Sequence, residues 1–207
     1  MLRLYAPGVI AMAIIVVASN ILVQFLLGQW LTWGAFTYPF TFLVTDLMNR
    51  LHGPKVARRV VLAGFVVGII CSFVGSQITG AFGPLVTHRV ALASGTAFLV
   101  GQLMDISVFS RLRRLDWWRA PLAASLVGSA LDTLIFFSIA FAAALTFLDP
   151  ADNVVWANKA LPLLGIGPVV PLWASLAAAD WSVKMSLALA SLLPYRAIVL
   201  RAVAKLA

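Results

Sequence analysis

The chain contains no glutamate, and its seven acidic residues among 207 are all aspartates. Charged residues make up 11% of the sequence, whereas about 25% is usual for a soluble domain. Hydrophobic residues make up 62%, and the mean hydropathy is +1.01. This composition cannot cover a soluble surface with charge and indicates a chain surrounded by lipid.

Cysteine and histidine are nearly absent. Cys71 stands alone in an apolar run, which excludes an internal disulfide framework and a cysteine metal site. His52 and His88 are far apart in sequence. The sequence also lacks P-loop, HExxH and GxSxG motifs. We therefore expect no catalytic residue, no metal and no cofactor, and we disfavour a membrane hydrolase or ATPase.

Six apolar runs approach the length of about 20 residues that a membrane-spanning helix requires. The second run is short and contains Gly34 and Pro39, which favours a kinked or partly re-entrant segment. The predicted fold is all-α: a polytopic bundle of six transmembrane helices that forms one integral-membrane transporter domain over residues 1–207. The runs cover residues 8–28, 33–49, 60–80, 89–109, 121–147 and 171–193.

Basic residues alternate between the connecting segments. The positive-inside rule predicts that both termini are cytoplasmic, because the other side carries only Arg89 and Lys159, accompanied by Asp149 and Asp152. The net charge of +8 therefore follows membrane topology and does not indicate nucleic-acid binding. The more basic side carries Arg3, Arg50, Lys55, Arg58, Arg59, Arg111, Arg113, Arg114, Arg119, Arg196, Arg201 and Lys205.

Five ionisable residues lie inside the apolar runs: Asp46, Asp105, Asp132, Asp180 and Lys184. Each costs about 2.5–3.5 kcal/mol at the centre of a membrane helix on insertion scales. Such residues usually face the bundle interior, pair with one another or line a path for polar cargo. Asp180 and Lys184 are one helical turn apart and can pair, so a purely structural ion pair is the alternative to substrate binding.

Other polar residues recur near these charges with helical spacing. Side chains three or four residues apart share one face of a helix. Four such stripes favour a polar cavity, although hydrogen bonds that join the helices are the alternative for each stripe. Arg50 follows Asp46 at i+4 and can pair with it. The stripes are Asn20 and Gln24; Thr37, Thr41 and Thr45 beside Asp46; Gln102 and Asp105; and Ser125, Ser129 and Asp132.

Several stretches of the sequence carry a family resemblance: SNILVQ (19–24), TWGAFTYPFTFLVTDLMNRLHGPKVARRVV (32–61), GQLMDISVFSRLR (101–113), WWRAP (117–121), SALDTLIFFSIAF (129–141) and DWSVK (180–184). On these stretches the chain resembles the queuosine precursor transporters, also called the vitamin uptake transporter family. The resemblance covers most of residues 19–196. The segment 147–171, rich in proline and glycine, is not matched, and its role in substrate access stays open.

The resemblance implies a multi-pass importer in the bacterial inner membrane. Its implied substrates are 7-cyano-7-deazaguanine and 7-aminomethyl-7-deazaguanine, which supply the queuosine modification of tRNA. The expected partners are therefore a small 7-deazapurine base and the lipid bilayer, with no direct contact to nucleic acid. Homo-oligomerisation stays open.

A guanine-like base presents adjacent N–H groups that one carboxylate can accept, so we expect Asp132 or Asp46 to read this edge. Asn20, Gln24 and Gln102 would complete the polar contacts, and Trp181 or Phe136 would stack on the flat face. The predicted substrate-binding residues are Asn20, Gln24, Thr41, Thr45, Asp46, Gln102, Asp105, Asp132, Phe136, Asp180, Trp181 and Lys184.

Two other functions fit the same sequence. One is the substrate-binding subunit of an energy-coupling-factor vitamin transporter, which needs a membrane partner and ATPases. The other is a non-transport assembly or sensor subunit whose polar residues join helices. The driving force for import is also open: Asp105 is a candidate proton carrier, but facilitated diffusion with trapping by metabolism explains the sequence equally well.

Overall fold

The computed structural model describes residues 2–80 and 83–204. Within these ranges the chain forms seven α-helices. Five of them, α1 and α4 to α7, are long and apolar enough to cross a membrane. The predicted all-α polytopic fold is confirmed, whereas the count of six spans and the cytoplasmic termini stay predictions. The helices are α1 (Leu2–Leu22), α2 (Gly34–Thr37), α3 (Phe40–His52), α4 (Pro54–Gln77), α5 (His88–Leu112), α6 (Arg119–Phe141) and α7 (Leu172–Ala204).

The second predicted span is broken into two helices. Helix α2 ends at Thr37 and α3 begins at Phe40, so Tyr38 and Pro39 form the junction. Pro39 has no backbone N–H and cannot continue the helical hydrogen-bond ladder. The break expected from the sequence is therefore present, and it places Tyr38 inside the bundle.

Three antiparallel β-hairpins connect helices. They follow α1, α4 and α6, and Thr87 Oγ1 donates to Asp152 Oδ2 at 2.9 Å, which joins the second connection to the third. The third connection contains most of the segment 147–171, which also includes 3₁₀ turns. The hairpins pair β1 (Leu26–Leu27) with β2 (Leu31–Thr32), β3 (Thr79–Gly80) with β4 (Gly83–Pro84), and β5 (Ala160–Pro162) with β6 (Val169–Pro171).

Several helix ends differ from the apolar runs: α4 begins at Pro54, before its run from residue 60, and α6 ends at Phe141, before its run reaches residue 147. Helix α1 stops at Leu22, although the run was predicted to reach residue 28, because the first hairpin turns at Gly28 with φ of 67°. Helix α7 continues through Pro194 to Ala204. Membrane helices tolerate such a proline when neighbouring groups satisfy the freed carbonyl. Lys205, which contributed to the topology prediction, lies outside the described residues.

Two arginines fasten helices at the end opposite the hairpins. Arg50 Nη1 donates to the Arg113 carbonyl at 2.8 Å, and Arg113 Nη2 donates to the Arg50 carbonyl at 2.6 Å. Guanidinium groups commonly satisfy the free carbonyls at helix C-termini. Arg50 is therefore engaged with α5, and the pair expected between Arg50 and Asp46 does not form among the described residues.

Arg89 performs the corresponding role at the hairpin end. Its side chain is buried, and it donates from Nε to the Ile139 carbonyl at 2.6 Å and from Nη2 to the Ala142 carbonyl at 2.5 Å. These carbonyls belong to the last turn of α6, where no intrahelical donor is left. The cation also faces the negative end of the helix dipole. A residue counted as a topology marker thus joins α5 to α6.

Helices α5 and α6 cross at two glycines with their backbones in contact. A Cβ at Gly101 would lie 2.8 Å from Asp132 Cβ, and a Cβ at Gly128 would lie 3.0 Å from Asp105 Cβ and 2.9 Å from the Gly101 carbonyl oxygen. Small residues permit such an approach between membrane helices. The crossing brings Asp105 and Asp132 into the centre of the bundle from facing helices.

We predict that Gly128→Ala lowers the thermal stability of the purified protein. The added methyl group would overlap the Gly101 carbonyl and force α5 from α6, and overpacking of this kind costs about 1–3 kcal/mol. The matched control is Gly68→Ala, because a Cβ there meets only Val16 Cγ1 at 3.7 Å. Tm measured in detergent should fall for the first variant only; equal Tm values for both variants would show that the crossing is not tightly packed.

Candidate functional site

Lys184 is buried on α7 and is surrounded by oxygen atoms. Its Nζ lies 2.7 Å from Asp132 Oδ2, 2.8 Å from Thr133 Oγ1 and 2.6 Å from Asp180 Oδ2. The three donors of an ammonium group therefore have three acceptors. The pair predicted between Asp180 and Lys184 is present, but Asp132 from α6 joins it.

Tyr38 and Thr133 complete this group. Tyr38 donates from its hydroxyl to Asp132 Oδ1 at 2.7 Å, and Thr133 donates to Asp180 Oδ2 at 2.9 Å. The ammonium of Lys184 also lies 5.3 Å from the centroid of the Tyr38 ring, within cation–π range. We call Tyr38, Asp132, Thr133, Asp180 and Lys184 the lysine cluster; it joins the break between α2 and α3 to α6 and α7.

A second buried group consists of two carboxyl groups, which we call the carboxyl pair: Asp46 on α3 and Asp105 on α5. Both are almost fully buried, and both lie against the same turn of α6, where Ser125 contacts Asp46 and a Cβ at Gly128 would lie 3.0 Å from Asp105 Cβ. Ser125 Oγ donates to Asp46 Oδ2 at 3.5 Å. Asp46 Oδ1 and both oxygens of Asp105 have no hydrogen-bond donor among the described residues. Unlike the lysine cluster, this pair has no buried cation beside it.

A cavity between α3, α6 and α7 separates the two groups. Asp46 lines it from α3 and Lys184 lines it from α7, with Ser125 and Ser129 on α6 between them. We call it the α3–α6–α7 cavity. It combines a carboxyl group, hydroxyl groups and aromatic rings, which is the combination that an orienting small-molecule site requires. Its free volume of about 20 Å³ has room for about one water molecule, so a base enters only when the helices move apart. Its remaining lining residues are Pro39, Phe42, Leu43, Pro121, Ala188, Ser191, Leu192 and Tyr195.

A second cavity lies between α1, α4 and α5. It is lined by Asn20, Tyr38, Ser72 and Ser94, together with glycine and apolar residues. We call it the α1–α4–α5 cavity. Because Tyr38 also contacts Asp132 and Lys184, this ring stands between the two cavities.

Three of the predicted substrate-binding residues hydrogen-bond one another. Gln102 Nε2 donates to Thr41 Oγ1 at 2.9 Å, and Thr45 Oγ1 donates to Gln102 Oε1 at 2.5 Å. All three are fully buried, and Thr41 also donates to the Tyr38 carbonyl one turn back. In this conformation the three side chains join α3 to α5, which is the interhelical role considered as the alternative.

The remaining predicted site residues are dispersed. Asn20 donates to the Val16 carbonyl at 2.9 Å beside the α1–α4–α5 cavity, whereas Gln24 is exposed just beyond α1. Phe136 packs edge-on against Phe137, with ring centroids 5.1 Å apart. Trp181 is half-buried, and its Nε1 has no acceptor among the described residues.

Two members of the lysine cluster were missed by sequence reasoning. Tyr38 stands directly before Pro39 inside an apolar run, and a hydroxyl group at a helix break is the signal that could have identified it. Thr133 follows Asp132 directly, so helical spacing alone assigns it to a different stripe. Both residues matter because a buried ammonium requires more acceptors than one carboxylate provides.

Comparisons with known proteins show which proteins this chain is similar to. The family model described as "Putative vitamin uptake transporter" matches residues 32–199, a range that contains the lysine cluster and the carboxyl pair. The "Queuosine precursor transporter" of Escherichia coli (strain K12) is 42% identical over 142 residues, which are 62% of this chain and 64% of that protein.

Two further relatives are named "Probable queuosine precursor transporter". The protein from Haemophilus influenzae is 42% identical over 122 residues, covering 53% of this chain and 52% of that protein. The protein from Bacillus subtilis is 32% identical over 151 residues, covering 63% and 62%. The matches thus span less than two thirds of each relative. No solved structure matches the chain.

We predict that Lys184→Met strongly destabilises the protein and that adding Asp132→Asn restores part of the loss. Removing one partner of a buried ion pair leaves an uncompensated charge and costs about 3–5 kcal/mol, whereas removing both charges avoids this penalty. Thermal unfolding in detergent measures both effects.

The matched control for this prediction is Arg119→Met. Arg119 pairs with Asp116 at 2.9 Å, but both side chains are more than half exposed, so its loss should cost less than about 1 kcal/mol. If the double variant were as unstable as Lys184→Met alone, charge compensation would not explain the stabilising role of Lys184.

Proposed function

The chain belongs to the vitamin uptake transporter family, and on this premise we propose that it imports queuosine precursors into the bacterial cell. It is a multi-pass membrane protein of the bacterial inner membrane. The proposed cargo is 7-cyano-7-deazaguanine, 7-aminomethyl-7-deazaguanine or both. The observation that carries the proposal is the α3–α6–α7 cavity, a polar site enclosed by apolar helices in the region matched by the family model.

We place the edge of the base that carries its N–H donors against Asp46. Asp46 Oδ1 has no donor and the residue lines the cavity, so its carboxylate has lone pairs free for the two adjacent N–H groups of a guanine-like edge. Asp132, the other candidate from the sequence, already accepts from Tyr38 and Lys184. In this conformation Asp46 is therefore the better candidate for accepting the N–H groups of the base.

The other walls of the cavity supply complementary contacts. Ser125 and Ser129 offer hydroxyl donors to the carbonyl oxygen of the base, and the rings of Phe42 and Tyr195 can contact its flat face. Stacking of a base on an aromatic side chain contributes about 1–3 kcal/mol. The neutral 7-cyano-7-deazaguanine also adds no charge beside the lysine cluster, which suits a site inside a membrane.

Transport requires the base to be reachable from both sides in turn. Tyr38 stands between the α3–α6–α7 cavity and the α1–α4–α5 cavity, at the junction of two helices. We propose that release of Tyr38 from Asp132 connects the two cavities. Asn20 would then contact the base on the side of the hairpins, and Gln102 would contact it only after release from Thr41 and Thr45.

We predict that purified protein binds 7-cyano-7-deazaguanine and that Asp46→Asn weakens binding at least about tenfold. The substitution replaces a carboxylate oxygen by an N–H₂ group that faces the N–H donors of the base, and one hydrogen bond to a charged group contributes about 1.5–3 kcal/mol. Isothermal titration calorimetry measures the change. Asp116→Asn, in an exposed connection, is the control that should bind normally.

If Asp46→Asn and the wild type bound the base with equal affinity, Asp46 would be excluded as the acceptor of its N–H groups. A folded wild-type protein that binds no base would contradict the proposed function itself. That result would favour a non-transport subunit in which the polar residues have a structural role.

A further inference from the structure

The carboxyl pair has no counter-charge, although it lies in the same bundle as a buried lysine. The ammonium of Lys184 is engaged by Asp132 and Asp180. At the end of the bundle, Arg50 and Arg113 each bind the other's backbone carbonyl. The cations of α4 lie at its exposed end. Within the described residues, no cation therefore neutralises Asp46 and Asp105.

The remaining titratable groups around the pair are hydroxyl groups that are neutral at ordinary pH. Tyr195 of α7 lines the same cavity as Asp46 and packs edge-on against Phe109 of α5. Tyr38, at the helix break, is committed to Asp132. Neither group can neutralise a negative charge on the pair. Asp105 is completely buried, and neither of its oxygens has a donor.

Two neighbouring carboxylates that are buried without donors cannot both be ionised away from water, because their mutual repulsion adds to the cost of removing each charge from solvent. A single proton resolves both problems. Bound to one carboxyl group, it removes one charge and supplies the O–H donor that the oxygens of the pair otherwise lack. The geometry therefore indicates a proton between Asp46 and Asp105.

We propose that Asp46 and Asp105 share one proton that is carried inward with the base; this inference rests on the proposed import function. Asp46 must be ionised to accept the N–H groups of the base, so the shared proton then resides on Asp105. Base and proton consequently occupy adjacent positions at one site. This arrangement makes proton binding a condition for binding of the base.

Each transport cycle carries one proton inward with the base. A proton from the external medium forms an O–H bond with one carboxyl oxygen of the pair. The bond breaks on the cytoplasmic side, where the proton passes to cavity water after the base has left and water solvates Asp46. Since 7-cyano-7-deazaguanine is neutral, each cycle that imports it moves one positive charge inward. The lysine cluster takes no part in this transfer because its carboxylates already have an ammonium partner.

Infrared spectroscopy tests the shared proton without any substrate. At neutral pH the wild-type protein should show the C=O stretch of a protonated carboxylic acid. Asp105→Asn should abolish the band, because Asp46 alone borders the cavity and is ionised there. Asp46→Asn should shift the band and keep it, because Asp105 alone stays buried. Asp116→Asn should leave the band unchanged.

A wild-type protein without this band at neutral pH would overturn the inference, even if Asp105→Asn fails to fold. A band that persists unchanged in Asp105→Asn would also overturn it, because the proton would then belong to another aspartate. Loss of the band on adding sodium at constant pH would assign the pair to a metal cation in place of a proton.

Transport in proteoliposomes tests the coupling. With 7-cyano-7-deazaguanine as the probe, an inward gradient of one pH unit should sustain about tenfold accumulation, because each unit is a tenfold ratio of protons. A pH-sensitive dye should report acidification inside the vesicle on addition of base. Asp105→Asn should exchange labelled for unlabelled base but lose both accumulation and acidification, and Asp116→Asn should retain all three.

Exchange by the wild type without acidification would overturn the coupling and leave the proposed function standing. Absence of both binding and exchange in the wild type would overturn the proposed function, and the coupling with it. Accumulation that follows a sodium gradient and ignores the pH gradient would likewise overturn proton coupling.

Discussion

The ammonium of Lys184 organises the interior of this bundle. A single cation in the interior of a membrane protein needs several oxygen atoms around it, and here they come from Asp132 and Thr133 on α6 and from Asp180 on α7. Tyr38 donates to the other carboxylate oxygen of Asp132, Oδ1, and so joins the break between α2 and α3 to the lysine cluster. Two long helices and a helix break are thereby held in one relative position by interactions that lipid cannot replace.

The placement of this cation also determines what the other polar residues can do. Because Lys184 is satisfied by Asp132, Asp180 and Thr133, it does not neutralise the carboxyl pair on α3 and α5. The bundle therefore contains one cluster in which an ammonium group lies between two aspartates and one carboxyl pair without a cation, with the α3–α6–α7 cavity between them. A ligand in this cavity would contact Lys184, which is held by three oxygen atoms, and Asp46, whose charge would depend on the proposed shared proton.

Much of this arrangement could be predicted from helical spacing. The ion pair of Asp180 with Lys184, the break near Pro39 and the inward position of every buried aspartate follow from intervals along a single helix. The joining of Asp132 to Lys184, and of Gln102 to Thr41 and Thr45, depends on how neighbouring helices are rotated, which no interval along one chain encodes. The glycine crossing brings α5 and α6 together, whereas the positions of α3 and α7 depend on side-chain contacts with other helices.

Other differences arise at helix ends, where hydropathy carries little information. Gln24 falls outside the bundle because α1 stops at Leu22 and the chain turns at Gly28. Arg50 turns away from Asp46 because carbonyls at the end of α5 need a donor. Arg89 is buried because the end of α6 offers two free carbonyls. For both arginines, backbone carbonyls that composition does not reveal determine where the side chain lies.

The most direct test of the account is the queuosine content of tRNA in a bacterium that lacks both precursor synthesis and its own importer. The cells express this chain and receive a limiting supply of 7-cyano-7-deazaguanine. The account predicts that the intact chain restores queuosine and that Asp132→Asn, inserted in the membrane at equal abundance, does not, because the lysine cluster loses one of its two carboxylates. No queuosine with the intact chain, despite confirmed membrane insertion, would contradict precursor import by this protein alone.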